Sequence, residues 1–122
     1  MIDFTSVSFL KLKKIEKTPE TVLPLILDTE EIVGNYKGIR DYVVFTDKRI
    51  ITLNTHGVAG SKKDFTSLPY SKIQLFSIEN DSNVEDDCSL ELYVTSIGKV
   101  KFDFSGPNDI VIIGKMIAEH TL

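Results

Sequence analysis

The chain has 122 residues and a mass of 13.7 kDa, with 42% hydrophobic and 26% charged residues. That is the size and composition of one folded domain, and it excludes a disordered or low-complexity chain. A formal charge of −4 and a pI near 5.1 oppose binding to phosphate backbones, so no nucleic-acid partner is expected.

The lone Cys88 has no second cysteine to pair with, and it reads as a small buried hydrophobe in a reducing compartment. Lys11, Lys13 and Lys14 interrupt the only N-terminal apolar stretch, around Phe9, Leu10 and Leu12. No apolar run approaches the ~18 residues of a membrane span. The expected location is therefore the cytoplasm, where the glycosylation sequon Asn80-Asp81-Ser82 has no chemistry behind it.

In chain order, residues 1–17 hold Val7, Phe9, Leu10, Leu12 and Ile15 among lysines, a loose helical pattern with a basic side. They are read as an N-terminal extension, and residues 18–122 as the domain proper. Thr18-Pro19-Glu20 resembles an N-cap, a first-position proline and an early acid, so a short helix is expected there, stopped by Pro24. From about Glu31 the period becomes that of strands, with Ile32, Val33, Tyr36, Tyr42 to Phe45 and Ile50 to Leu53 in short β-branched or aromatic runs. Gly38 with Asp41, Thr46-Asp47-Lys48 and His56 to Gly60 supply the turns between them. Phe65 falls in the next strand, Leu68-Pro69-Tyr70 makes a corner, and a strand through Ile73 and Leu75 follows.

Alternation is clearest late in the chain. Cys88, Leu90, Leu92 and Val94 share one face, and after Ile97-Gly98 the set Val100, Phe102 and Phe104 repeats the pattern, giving a half-buried hairpin. Ser105 to Asp109 supply capping residues for a helix reaching about Glu119, whose stripe of Ile110, Ile113, Met116 and Ile117 suits packing on the sheet. The expected architecture is mainly β (α+β): about seven antiparallel strands and one C-terminal amphipathic helix.

Four stretches sharpen that expectation: Val44-Phe45-Thr46-Asp47-Lys48-Arg49-Ile50-Ile51, His56 to Lys63, Ser67-Leu68-Pro69-Tyr70-Ser71-Lys72-Ile73 and Phe76-Ser77-Ile78-Glu79. In this order and spacing, over roughly residues 20–120, the chain resembles the bacterial pleckstrin-homology-like (PH-like) domain family. The resemblance implies a partly open β-barrel capped by a helix, no known enzymatic activity, and members similar to self-assembling rings. It implies no ligand, because function is argued from a site and not from a fold.

Recognition of a phosphorylated lipid headgroup needs several Lys or Arg converging from neighbouring loops. Lys37, Arg40, Lys62 and Lys63 are the candidates for anion or lipid contact, with Lys99 as a further one, and Asp41 and Asp64 dilute their charge. The acidic cluster Glu79, Asp81, Glu85, Asp86 and Asp87 fails the EF-hand spacing and reads as a solvated loop. Neither His56 nor His120 carries a nucleophile signature around it, and no metal or cofactor is expected. The reading is a non-catalytic module that self-assembles through strand edges or leftover apolar positions such as Tyr42 to Phe45, with an unknown protein partner or an anionic membrane as rivals.

Overall fold

Cys88, Leu90, Leu92 and Val94 are buried while Ser89, Glu91 and Tyr93 are half-exposed, the period-two pattern of a strand with one face on a core. The same logic runs through most of a computed structural model that describes residues 8–80, 86–95 and 97–122. Its strands are β1 (Ser8–Ile15), β2 (Ile32–Lys37), β3 (Asp41–Thr46), β4 (Arg49–His56), β5 (Lys62–Pro69), β6 (Ile73–Asn80), β7 (Cys88–Val94) and β8 (Gly98–Phe104), followed by helix α1 (Ile110–Thr121). They form one curled sheet in the order β5-β4-β3-β2-β1-β8-β7-β6. Inside lie Phe9, Tyr36, Phe45, Phe102 and Phe104 with the aliphatic residues of β4, β7 and α1. Phe9 and Phe102 stack at 5.1 Å, and Tyr36 meets Phe104 edge-on at 4.9 Å. No helix among the described residues is long and apolar enough to cross a membrane.

The segment set aside as a basic, helix-like extension is a strand of this sheet. β1 runs parallel to β8 and antiparallel to β2, and it buries Phe9 and Leu12. Phe9 and Leu12 are three apart, a helical spacing that would put them on opposite faces of a regular strand. A bulge between them, with Lys11 at φ 52°, adds the residue that turns both inward. The described residues therefore hold eight strands where about seven were expected, and a boundary at residue 17 cuts through the sheet's own strand order. Val7 lies outside the described residues.

The short helix expected after Thr18 is also corrected. Pro24 leaves room only for a 3₁₀ turn at Leu23–Leu25 within a strap from β1 to β2. That strap lies on the outer face of the sheet, where Val22 and Ile26 cover Val44, Ile51 and Leu53. The two-sided run Tyr42 to Phe45 is thus satisfied within one chain: Val43 and Phe45 point into the barrel and Val44 lies under the strap. This outer apolar surface is not left over for a subunit contact.

Glu30 fastens the strap. Its carboxylate accepts from Arg49 Nε at 2.9 Å and Nη2 at 3.0 Å, from Thr46 Oγ1 at 2.5 Å and from the Leu27 N–H at 3.1 Å. Burial opposes its ionisation, but the bonds from Arg49, Thr46 and Leu27 prevail and hold its pKa down at about 2. Thr46 Oγ1 also accepts the Lys48 and Arg49 N–H groups, Asp47 accepts from the Glu31 N–H, and Tyr70 donates to the Thr46 carbonyl at 2.7 Å. The Thr46 to Arg49 stretch that carries much of the resemblance is therefore a structural fastening of strap, hairpin and corner.

At the other end, Tyr36 Oη donates to Asp109 at 2.6 Å and accepts the Asp109 N–H, while Lys14 pairs with the same carboxylate at 2.8 Å. Gly34 makes the approach possible, since a Cβ there would sit 2.6 Å from that carboxylate. Helix α1 is thereby held at its start, and Ile113, Gly114 and Ile117 are buried on the core side.

Candidate functional site

The β2–β3 and β4–β5 turns lie on one rim, because Asp41 pairs with Asn54 and Asn54 with Asp64 across three strands. This rim brings together Lys37, Arg40, Lys62 and Lys63, all four exposed. They do not converge on a pocket. Lys37 lies over the Tyr42 ring at 5.8 Å, the Arg40 carbonyl accepts from Thr55 Oγ1, and Lys62 and Lys63 sit opposite His56 and Thr55 at the start of β5. Asp41 shares the rim, its pKa raised by burial against the hydrogen bond from Asn54, and His56 Nε2 contacts Asp64 at 2.9 Å. Lys99 does not join them; it lies across from Tyr93 on the β7–β8 hairpin, 3.9 Å from Glu91.

The acidic loop serves the chain itself where it is described. Asp87 accepts the Gly106 N–H at 2.7 Å and the Asp86 carbonyl accepts from Asn108, whereas Asp81 and Glu85 lie outside the described residues. His120 Nδ1 hydrogen-bonds the Met116 carbonyl at 2.8 Å, and burial pushes the Cys88 thiol up, away from thiolate. A depression of about 880 Å³ beside the β1 bulge is lined by both signs, Lys11 and Lys13 with Asp87 and Asp103, and none of the four rim bases borders it.

Two features of this surface escaped the sequence reading. Ile39 and Val58, at the tips of the two rim turns, are 74% and 88% exposed. The second is the contrast between the two sheet edges. Among the described residues β5 pairs with β4 alone and β6 with β7 alone. β5 opens with Lys62-Lys63-Asp64 and ends in Pro69, the charges and proline that blunt an edge against pairing with its like. β6 has no charge before Glu79, and its Leu75 and Ile78 are 58% and 40% exposed. Its neighbour α1 adds exposed Val111 and Ile112, which share a cavity of about 430 Å³ with Asn80 at the end of β6. An edge strand with no charge before Glu79 and with exposed apolar side chains has none of the usual guards against pairing, and the uncharged run Ile73 to Ile78 was the available signal.

A family model described as the bacterial PH domain matches residues 3–121. The uncharacterised protein YjqA of Bacillus subtilis (strain 168) is 32% identical over 101 residues, 81% of each chain. The uncharacterised protein YozO of the same organism is 28% identical, over 79% of this chain and 82% of that one. Of solved structures, a Shewanella loihica protein with a pleckstrin-homology domain matches with TM-score 0.74 and 29% identity, covering 92% of this chain and 98% of that one. A pleckstrin-homology domain from Shewanella amazonensis matches with TM-score 0.57 and 33% identity, covering 84% and 83%.

Proposed function

The chain belongs to the bacterial PH domain family, and on that premise we propose that it is a non-catalytic, self-assembling protein-interaction module that uses its β6 edge as a contact surface. One observation carries this reading: β6 presents eight residues with no charged gatekeeper before Glu79 and, among the described residues, no neighbouring strand on its outer side. Backbone N–H and C=O groups along such an edge lack a strand partner in a lone copy, and pairing with a second copy satisfies them while covering the outward, exposed Leu75. The roles found for Glu30, Arg49, Tyr36 and Asp109 are structural, which agrees with a module whose work is binding. Light scattering on the purified chain and on Leu75→Lys tests this. The native chain is expected above 13.7 kDa, and the variant, whose lysine guards the edge, is expected at a lower mass with an unchanged melt. A native chain that stays at one-copy mass overturns the reading.

A second reading has its own observation. Ile39 and Val58 project from the rim between Lys37, Arg40, Lys62 and Lys63, as apolar tips beside cations do in peripheral membrane contacts. Co-sedimentation with anionic vesicles at two salt concentrations tests it: binding that falls steeply with salt supports the contact, and no binding at low salt excludes it.

A further inference from the structure

The outer face of β6, β7, β8 and β1 carries a line of polar side chains well away from the basic rim. Glu79 on β6 lies opposite Ser89 on β7, and Ser89 lies opposite Asp103 on β8. Asp103 in turn falls where the β1 bulge interrupts pairing, between Phe102 opposite Phe9 and Phe104 opposite Leu12. The line crosses four strands, a span of about 14 Å at about 4.8 Å per strand step. It runs through the depression of about 880 Å³, with Lys11 and Lys13 bordering it on β1 and Glu79 and Asp87 on the far side. We propose that this groove binds an extended zwitterionic peptide of about four residues, its α-carboxylate at Lys11 and Lys13 and its α-ammonium at Glu79 and Asp87.

The separation of the two signs carries the argument. Lys11, Lys13 and Glu79 are exposed, and among the described residues none of the three is ion-paired. The β1 bulge, with Lys11 at φ 52°, places an extra residue at the basic end of the line, and bulges of this kind re-aim a side chain. At the acidic end Asp87 uses Oδ1 to accept the Gly106 N–H, which leaves Oδ2 for a ligand. Between the ends lies Asp103, which accepts from the Ser89 hydroxyl at 2.5 Å and has Lys101 at 3.9 Å. A carboxylate offers about four lone-pair sites, so Asp103 keeps room for further donors. A ligand that fits is thus anionic at one end, cationic at the other and a hydrogen-bond donor in the middle, which describes a short peptide with its backbone N–H groups.

Other ligand chemistries match less of the groove. A polyanion at Lys11 and Lys13 meets Asp103, Asp87 and Glu79 along its length, and a polycation at the acids meets the two lysines. An extended chain reaches about 3.5 Å per residue, so a dipeptide covers about half the line and a tetrapeptide all of it. Glu79 stands on the outer face of the sheet, across from Ser89, so the site is independent of the self-assembly reading above.

Titration of the ¹⁵N-labelled native chain with tetraglycine, followed through its amide resonances, tests this. Saturable shifts are expected at Lys11, Glu79, Ser89 and Asp103, with the amides of Lys37, Arg40, Lys62 and Lys63 unmoved. N-acetyl-tetraglycine, tetraglycine amide and diglycine should each bind roughly three- to tenfold more weakly, since each loses a charge contact. Lys11→Gln and Glu79→Gln keep side-chain length and should leave the melting temperature unchanged. Glu79→Gln is expected to weaken tetraglycine more than its N-acetyl form, and Lys11→Gln to weaken it more than its amide, which assigns each terminus to its end of the groove. No shift with millimolar tetraglycine, equal binding of capped and uncapped peptides, or the reverse pattern in the two variants would overturn the proposal.

Discussion

Removing the Glu30 carboxylate is the sharpest probe of what holds the strap down. In Glu30→Ala the Arg49 guanidinium, the Thr46 hydroxyl and the Leu27 N–H lose their shared acceptor, and the strap loses its tie above Val44, Ile51 and Leu53. Moving a carboxyl from its ordinary 4.5 to about 2 corresponds to roughly 3 kcal/mol at about 1.36 kcal/mol per pH unit. Truncating one member of a buried pair often costs about 3–5 kcal/mol. Arg49 retains some solvent access and still reaches the Leu25 carbonyl and Ser67, which argues for the lower end, about 3 kcal/mol. Because the folded-state pKa lies below the unfolded one, the stabilisation is complete above pH 4.5 and is lost as pH falls through about 2. Urea unfolding of native and variant chains at several pH values should show a gap near 3 kcal/mol at neutral pH that narrows toward pH 2. A gap below about 1 kcal/mol at neutral pH, or one that does not change with pH, would refute the fastening role assigned to this charge.

Other substitutions read other parts of the fold. Phe102→Ala removes a fully buried ring stacked on Phe9 and should lower stability by about 3–5 kcal/mol in urea unfolding. Gly34→Ala places a methyl 2.6 Å from the Asp109 carboxylate and 3.0 Å from the Tyr36 ring, and should cost about 1–3 kcal/mol in the same assay. A chain starting at Thr18 lacks β1, leaves β2 and β8 unpaired with each other, and should show no cooperative melt by circular dichroism.

The elements that repeat at one clean period were legible in the sequence: β7, β8 and α1 appear where alternation and helical spacing put them, and the corner falls at Pro69-Tyr70. β1 was not, because the bulge at Lys11 lets residues three apart share a face and so imitates a helix. The strap was not, because a covering of one outer face by Val22 and Ile26 is a long-range pairing with no local period. For the functional surface, residue types pointed to the basic rim, and the structure places those four residues together without a pocket. The open edge of β6 was written in Ile73 to Ile78 only as missing charge, which gains meaning once the strand order puts that segment at the end of the sheet.

Sedimentation velocity of the native chain, from tens of micromolar downward, bears most directly on the claim that self-assembly is its intrinsic activity. The expected result is a discrete species of several copies that gives way to a 13.7 kDa component only on dilution. One species near 13.7 kDa at every concentration would contradict it.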